Sequence, residues 1–397
     1  MTDRRRGEEA IENRIMTIEN CTLPIAGPTS SSGTNESSSI LGFQFRLLFV
    51  AFTFSCALLP ILSGCGSSAN KRVVLYCAQD EDFAEASLAD FTQHTGLPVA
   101  PKYDTEADKS VSLYTELLAE RDRPRCDVFW NNEIINTIRL QRQGMLQAYE
   151  SPSAAAYPAS CRASDHSWHA FAARARILIV NKQLVNPEEM PKSILDLADP
   201  RWKGRVVIAR PQFGTSATMA ACLFQVLGEE KAEKFYRGLK ENNVQIAPGN
   251  KQVADWVGDG RTPDGEPVAI GITDTDDALE AIKDGKPVVM IFPDRGAPKG
   301  SKMGTLFIPN TVCILRGCPN PEGARKLVDY LLSPEVEKRL AEESEGHQIP
   351  LNPEVKVSLP PQLETPKSVK AMDVDFEKAV DLLPQVQKFI QNEFAAP

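Results

Sequence analysis

The stretch Pro267–Leu279, P-V-A-I-G-I-T-D-T-D-D-A-L, decides how this chain is read. Val268–Ile272 is an apolar run of strand length, the pattern of a buried strand. It stops at Thr273-Asp274-Thr275-Asp276-Asp277. A helical spacing is expected from Ala278, with Leu279 and Ile282 apolar, as far as Gly285. In open α/β sheets, ligands sit where strands end and helices begin. Carboxylates crowded there suit a hard cation or an amine. Thr273 or Thr275 would also serve as an N-cap, and acids in a first helical turn are favoured by the helix dipole. The cluster is therefore a ligand site or a helix start.

Outward from this point the chain alternates. Strands are expected at Arg72–Cys77, Val99–Tyr103 and Cys126–Trp130. Helices are expected from Asp80–Asp82 to Thr95, over Val111–Arg121 and over Glu133–Gln143. This alternation predicts a parallel, doubly wound sheet. Pro152–His169 reads as a loop. Further strands are expected at Arg174–Asn181, Arg205–Ala209, Pro287–Phe292 and Thr305–Leu315. Helices are expected at Thr215–Leu227, Glu229–Asn242, Asn250–Val257, Pro321–Leu332, Pro334–Glu342 and Met372–Phe394. Two α/β lobes fit this count. The extended segments near Ala170–Val180 and Thr305–Leu315 are the candidate crossings between them.

The length of 397 residues allows two domains, and 42% apolar with 24% charged residues is a globular composition. A net charge of −9 disfavours a nucleic-acid partner. Leu47–Leu62 is a mostly apolar run after Arg46, short for a spanning helix and right for a signal-peptide core. It ends in Leu62-Ser63-Gly64-Cys65, which resembles the bacterial lipobox, with Cys65 the lipidated residue. A Gly-Ser-Ser-Ala-Asn tether follows. The expected localisation is the periplasm, held to the membrane by a lipid. Beyond Cys65 lie Cys77, Cys126, Cys161, Cys222, Cys313 and Cys318. No C-x-x-C pair occurs, and most of these thiols are expected to be buried and inert.

Other strand ends carry polar groups. Gln79 and Asp80 follow the first strand, and Asn132 and Glu133 follow the third. Each either faces a crevice or caps its helix. Gly214-Thr215-Ser216 opens a helix, where free N–H groups and hydroxyls suit an oxyanion or form an ordinary cap. Arg174 and Arg176 alternate along one strand and share a face, as a solvated edge or a cleft wall. Arginine binds carboxylate or phosphate bidentately. His94, His166, His169 and His347 have no metal-ligand spacing, and no Ser-His-Asp or Cys-His arrangement stands out.

At L-D-L-A-D-P-R-W-K-G-R, around Trp202-Lys203-Gly204, the chain resembles the ferric-iron-binding solute receptors of bacterial ABC transporters. V-V-L-Y-C-A-Q, D-V-F-W-N-N-E, Q-G-M-L-Q, A-A-R-A-R-I-L-I-V-N-K and L-V-D-Y-L-L-S-P-E-V match in the same order, from about Arg72 to about Phe394. The resemblance implies an α/β fold of the periplasmic-binding-protein type II, with two lobes hinged around a central cleft. It implies capture of solute without catalysis, by a monomer that delivers to a separate permease and ATPase. The expected divisions are 1–64 as extension and signal peptide and 65–71 as tether. Residues 72–169 with 306–370 form the first lobe, 170–305 the second, and 371–397 a C-terminal helix.

Carried over residue by residue, the ferric site departs from its pattern. Where the family places two tyrosines the sequence has Asp274-Thr275, and where it places a histidine, Asp80 after Gln79. Asn132-Glu133 stand near the first-lobe carboxylate, Gly214–Ala217 match the anion turn loosely, and Arg174 matches the arginine. The implied ligand set is Gln79, Asp80, Asn132, Glu133, Arg174, Gly214, Thr215, Ser216, Asp274, Thr275, Asp276 and Asp277. No cofactor is expected. If the cargo is a cation such as Fe(III), Asp80, Glu133, Asp274 and Asp276 hold it, beside a phosphate-like anion. The alternative cargo is a phosphorylated or phosphonate organic solute with its head on Arg174 and Gly214–Ala217. A rival of another class is a phosphatase of the haloacid-dehalogenase type, which D-T-D-D resembles superficially, with Asp274 as nucleophile.

Overall fold

The computed structural model describes residues 72–79, 81–104, 112–342 and 347–394. Leu47–Leu62, Cys65 and Asp80 lie outside the described residues. No described helix is long and apolar enough to cross a membrane.

The chain starts with β1 (Val73–Cys77), α1 (Glu81–Thr95), β2 (Val99–Tyr103), α2 (Ser112–Ala119), β3 (Val128–Asn131) and α3 (Ile135–Arg142). As the alternation predicts, β1 pairs in parallel with both β2 and β3. A two-residue strand β4 (Leu146–Gln147) follows, then the long β5 (Trp168–Asn181), buried throughout its 14 residues. β5 begins within the stretch read as a loop, because Trp168–Ala173 pair with a strand from far along the chain. The second half contains β6 (Val206–Ala209), α4 (Gly214–Leu227), α5 (Glu229–Glu241), β7 (Gln245–Ala247) and α6 (Asn250–Asp259). It continues with β8 (Ile270–Asp274), α7 (Thr275–Lys283), β9 (Val288–Ile291) and β10 (Phe307–Leu315). The chain closes with α8 (Pro321–Leu331), α9 (Pro334–Glu342) and α10 (Phe376–Phe394).

The strand order is β2-β1-β3-β10-β5-β8-β6-β7, with β4 on β10 and β9 on β5. β10 is antiparallel to β3 and β5, so the first sheet is mixed rather than purely parallel. Residues Trp168–Ala175 of β5 belong to that sheet, and Arg176–Asn181 pair with β8 and β9 in the second. One strand thus serves both sheets. Its side chains alternate between two cores. Ala173, Ala175, Ile177 and Ile179 enter one, and Leu178 and Val180 the other. Arg174 and Arg176 therefore share the face of Leu178 and Val180. The helix α10 packs on α3, α4 and α5 and so spans elements of both halves.

Two local readings are corrected. β8 ends at Asp274 rather than Ile272, and α7 begins at Thr275 rather than Ala278. Strand passes to helix with no loop between, which puts Asp276 and Asp277 in the first helical turn. The six cysteines from Cys77 to Cys318 are free and buried, as expected. Burial pushes the thiols of Cys161 and Cys318 up to about 11.

Candidate functional site

Asp274 is the N-cap residue of α7, yet its side chain makes no capping bond. Both its oxygens are engaged elsewhere. Oδ1 accepts from Arg176 Nη1 at 2.8 Å, directly across the β5–β8 ladder. Oδ2 accepts from Thr215 Oγ1 at 2.7 Å and from Asn250 Nδ2 at 3.1 Å. Arg176 Nη1 also reaches Thr215 Oγ1 and Asn250 Oδ1, each at 3.0 Å, and Nη2 reaches Ser216 Oγ at 3.3 Å. Arg176 and Asp274 are each 1% exposed. At that burial an ion pair needs further hydrogen bonds to both partners, and here both Asp274 oxygens and both Arg176 Nη atoms have them, while Arg176 Nε has no acceptor among the described residues.

Arg174, one pleat nearer the first sheet, is built differently. Nη1 lies 3.1 Å from Asp276 Oδ2. Nη2 donates to Gln79 Oε1 at 2.8 Å and approaches Asn310 Oδ1 at 3.5 Å. Its partners therefore come from α7, from the end of β1 and from β10. Asp277 Oδ2 accepts from Thr273 Oγ1 at 3.1 Å. Thr275 Oγ1 accepts from the Ala175 N–H at 3.2 Å, which places it in the strand register rather than at a cavity.

Asn132, Arg174, Gly214, Thr215, Ser216, Asp274, Asp276 and Asp277 line one small cavity. It leaves about 40 Å³ for the centres of water-sized spheres. At roughly 10–15 Å³ per water this is room for a few waters, an ion or a small oxyanion. One donor atom each from Asp274, Asp276 and Asp277 lies within 4.8 Å of the others, the spacing of a possible cation site. Three helices begin at the cavity: α4 after Phe213, α6 after Gly249 and α7 after Asp274. None has a side-chain cap. Their positive ends and the two guanidiniums offset the charge of the carboxylates and explain why so many acids are tolerated there.

Gln79 and Glu133 stand outside this lining. Gln79, 1% exposed, lies behind Arg174, and its Nε2 has no hydrogen-bond acceptor among the described residues. Glu133 accepts from Asn131 Nδ2 at 3.0 Å, from the Asn136 N–H at 2.9 Å and from the Ile135 N–H, which makes it the cap of α3. It also accepts from Thr218 Oγ1 of α4 at 3.0 Å, a bond between the two halves of the molecule. Burial raises its carboxyl above the ordinary range, against the pull of these donors. Glu133 borders a larger chamber of about 930 Å³ beside the first cavity. Arg210, Phe213 and Gly214 line both.

Sequence reading missed Asn250 and Arg210. Arg210 lies in the turn between β6 and α4, whose next residues were singled out. For Asn250 the available signal was Pro248-Gly249 before a helix, but β7, only three residues long, had not been recognised as a strand.

A family model described as "Bacterial extracellular solute-binding protein" matches residues 137–379. The iron uptake protein A1 of Synechocystis sp. is 26% identical over 315 residues, covering 74% of this chain and 84% of that protein. The structure of iron-bound HitA from Pseudomonas aeruginosa superposes with a TM-score of 0.69 at 21% identity, covering 80% of this chain and 99% of HitA. AfuA from Actinobacillus pleuropneumoniae, solved with fructose-6-phosphate, superposes with a TM-score of 0.70 at 23% identity, covering 82% and 99%. At these identities the structural likeness speaks for the fold: a periplasmic-binding-protein fold of two α/β lobes about a cleft.

Proposed function

The chain belongs to the bacterial extracellular solute-binding proteins, and on that premise we propose that it is the receptor of an ABC import system of the iron(III)-transporter type, capturing a ferric ion together with a small anion. The observation that carries the cargo is the group of Asp274, Asp276 and Asp277 with donor atoms within 4.8 Å, facing the uncapped start of α4. Hard cations take oxygen ligands. Asp276 and Asp277 would supply them, since Asp274 is held by Arg176 and serves as scaffold. The free N–H groups at Gly214–Ser216 would take the anion. Among the described residues no tyrosine or histidine lines the cavity. In this reading residues 72–169 with 306–370 form one lobe and 170–305 the other, with β5 and β10 as the crossings and 371–397 as a closing helix. Residues 1–64 are removed, Cys65 carries the lipid, and a separate permease and ATPase receive the cargo from a monomer.

The test is metal analysis with native mass spectrometry on protein purified from its own host. One iron per chain, lost in Asp276→Ala/Asp277→Ala, is the expected result. A second reading has its own support. Arg174 and Arg176 already pair with two of the three carboxylates, and the 930 Å³ chamber adjoins the cavity. A phosphorylated or phosphonate organic solute would place its head at the cavity and its body in the chamber. A co-purified phosphorus-containing molecule with no iron would replace the first reading with this one. A phosphatase reading finds no support at Asp274, whose two oxygens are both engaged by Arg176, Thr215 and Asn250.

A further inference from the structure

His166 and His169 carry no motif spacing in the sequence, yet the fold brings their rings together. The chain turns back on itself just before β5: Arg162 bridges His169, and the Ala163 N–H donates to the Trp168 carbonyl at 3.1 Å. His166 sits in that turn with φ of 57°, a left-handed backbone fixed from two sides. Its N–H donates to the Ala163 carbonyl at 3.0 Å, and its carbonyl accepts from the Tyr149 N–H at 2.9 Å. The ring centres of His166 and His169 are 6.5 Å apart and inclined at 43°. His169 Nε2 lies 2.8 Å from the Tyr149 carbonyl oxygen. A carbonyl can only accept, so Nε2 carries the proton and Nδ1 bears a lone pair. That Nδ1 is buried without a hydrogen-bond partner among the described residues, and so is His166 Nδ1. Burial is the main cause that holds the His169 imidazole below its ordinary pKa, which keeps the ring neutral at pH 7.

A buried ring nitrogen with no donor to accept from is costly in a folded chain, and it is a ready metal ligand. Metal-bound histidines hold their other ring N–H on a carbonyl or carboxylate, as His169 does on Tyr149. We propose that His166 and His169 bind one cuprous ion through their Nδ1 atoms, at a site separate from the carboxylate cavity. His169 lies five residues before Arg174 on β5, about 16 Å of strand away, and no residue lines both sites. The lining chooses the ion. Both rings border a recess with Gln147, Tyr149 and Cys313, and among the described residues no carboxylate lines it. Imidazole without carboxylate turns away the hard cations. The recess has no room for the centre of a water-sized sphere, whereas zinc or divalent copper would complete its shell with water beside two imidazoles. A metal–nitrogen bond of about 2.0 Å plus the half-width of the ring puts an ion roughly 3.2 Å from each ring centre, so two rings stand about 6.3 Å apart across a straight N–metal–N unit and about 5 Å apart across a tetrahedral one. The observed 6.5 Å fits the straight arrangement, which suits a two-coordinate cuprous ion. Cys313 stays a neighbour. Burial raises its thiol far above the ordinary range, and its Sγ faces the Phe129 carbonyl at 3.8 Å. The assignment does not depend on the cargo of the cleft.

The test titrates the full exported chain with cuprous ion under ascorbate and without oxygen, against bicinchoninate as competing chelator. The wild type is expected to withhold one cuprous ion per chain. His166→Gln and His169→Gln are each expected to weaken binding by about tenfold or more. His169 is buried and its replacement risks the fold, so the half-buried His166 carries the comparison, with a melting curve to show that its variant is intact. X-ray absorption of the copper-loaded wild type is expected to show imidazole nitrogen and no sulfur around the metal. Unchanged cuprous affinity in His166→Gln would overturn the proposal. Sulfur in the copper shell would do so too, by moving the ion to a cysteine. Loss of the copper in Asp276→Ala/Asp277→Ala would place it in the carboxylate cavity instead. Zinc that competes on equal terms would overturn the choice of a cuprous ion.

Discussion

On the β8 side of the cavity, Asp274, Arg176, Thr215 and Asn250 bond to one another inside the same half, with Arg176 Nε the one buried donor of the group that has no acceptor among the described residues. On the β1 side, Gln79 has an amide donor without an acceptor among the described residues, and Glu133 divides its oxygens between its own helix and Thr218 of the other half. The first wall is held together by its own side chains. The second contains groups bonded across the two halves, Gln79 to Arg174 and Glu133 to Thr218. The difference teaches that residue type alone does not mark a ligand. Asp274 is the most conspicuous acid of the cluster, and both its oxygens are taken up by structure. Asp276 and Asp277, in the first turn of α7, line the same cavity.

This comparison breaks most readily at Arg176. Arg176→Ala leaves the Asp274 carboxylate buried without its cation and is expected to cost about 3–5 kcal/mol in a urea titration. Arg176→Gln with Asp274→Asn recovers most of that loss; a small effect of the single change would show that the wall is not self-satisfied. Next in size, Asp276→Ala is expected to remove about 2 kcal/mol or more of cargo affinity, over tenfold in Kd by calorimetry with ferric nitrilotriacetate. Unchanged affinity would reduce the cluster to a helix start. Glu133 sharpens the other wall. Its carboxyl is raised by burial, so between its ordinary and folded values the folded state binds more protons than the unfolded state. Its contribution to stability therefore falls as pH climbs through that window. Glu133→Gln is expected to flatten the fall in a pH series of melting curves. The smallest effect is at Thr218→Val, which deletes one hydrogen bond between the halves for about 1 kcal/mol.

Much of the fold was legible in the chain. The alternation from Arg72 to Gln143 gave the parallel β2-β1-β3 group, because each helix there ends at a readable stop such as Gly96 or Gly144. The arginines of β5 share a face because strand periodicity is strict. What was not legible depends on pairing at long range. Trp168 and His169 carry no strand signal stronger than their loop-like neighbours, and their extension comes from β10. The start of α7 was placed three residues late because Thr and Asp are weak helix formers in isolation, and the abutting strand overrides that weakness. The engagement of Asp274 by Arg176 was hidden for the same reason, since it needs the β5–β8 register.

β10 has a consequence for the order in which the molecule can assemble. Its partners are β3, β4 and β5, and Thr311 sits opposite Asn131. The strands between β5 and β10 pair among themselves and with the end of β5, so that half has its ladder complete before residue 307 emerges. The first half does not. From β3 onward it waits with an unpaired edge until Phe307–Leu315 arrives. Distant pairing of this kind slows folding and leaves a sticky edge exposed meanwhile. The earliest-made part of this chain is therefore the last to be finished, and the interval is where a chaperone would find its substrate.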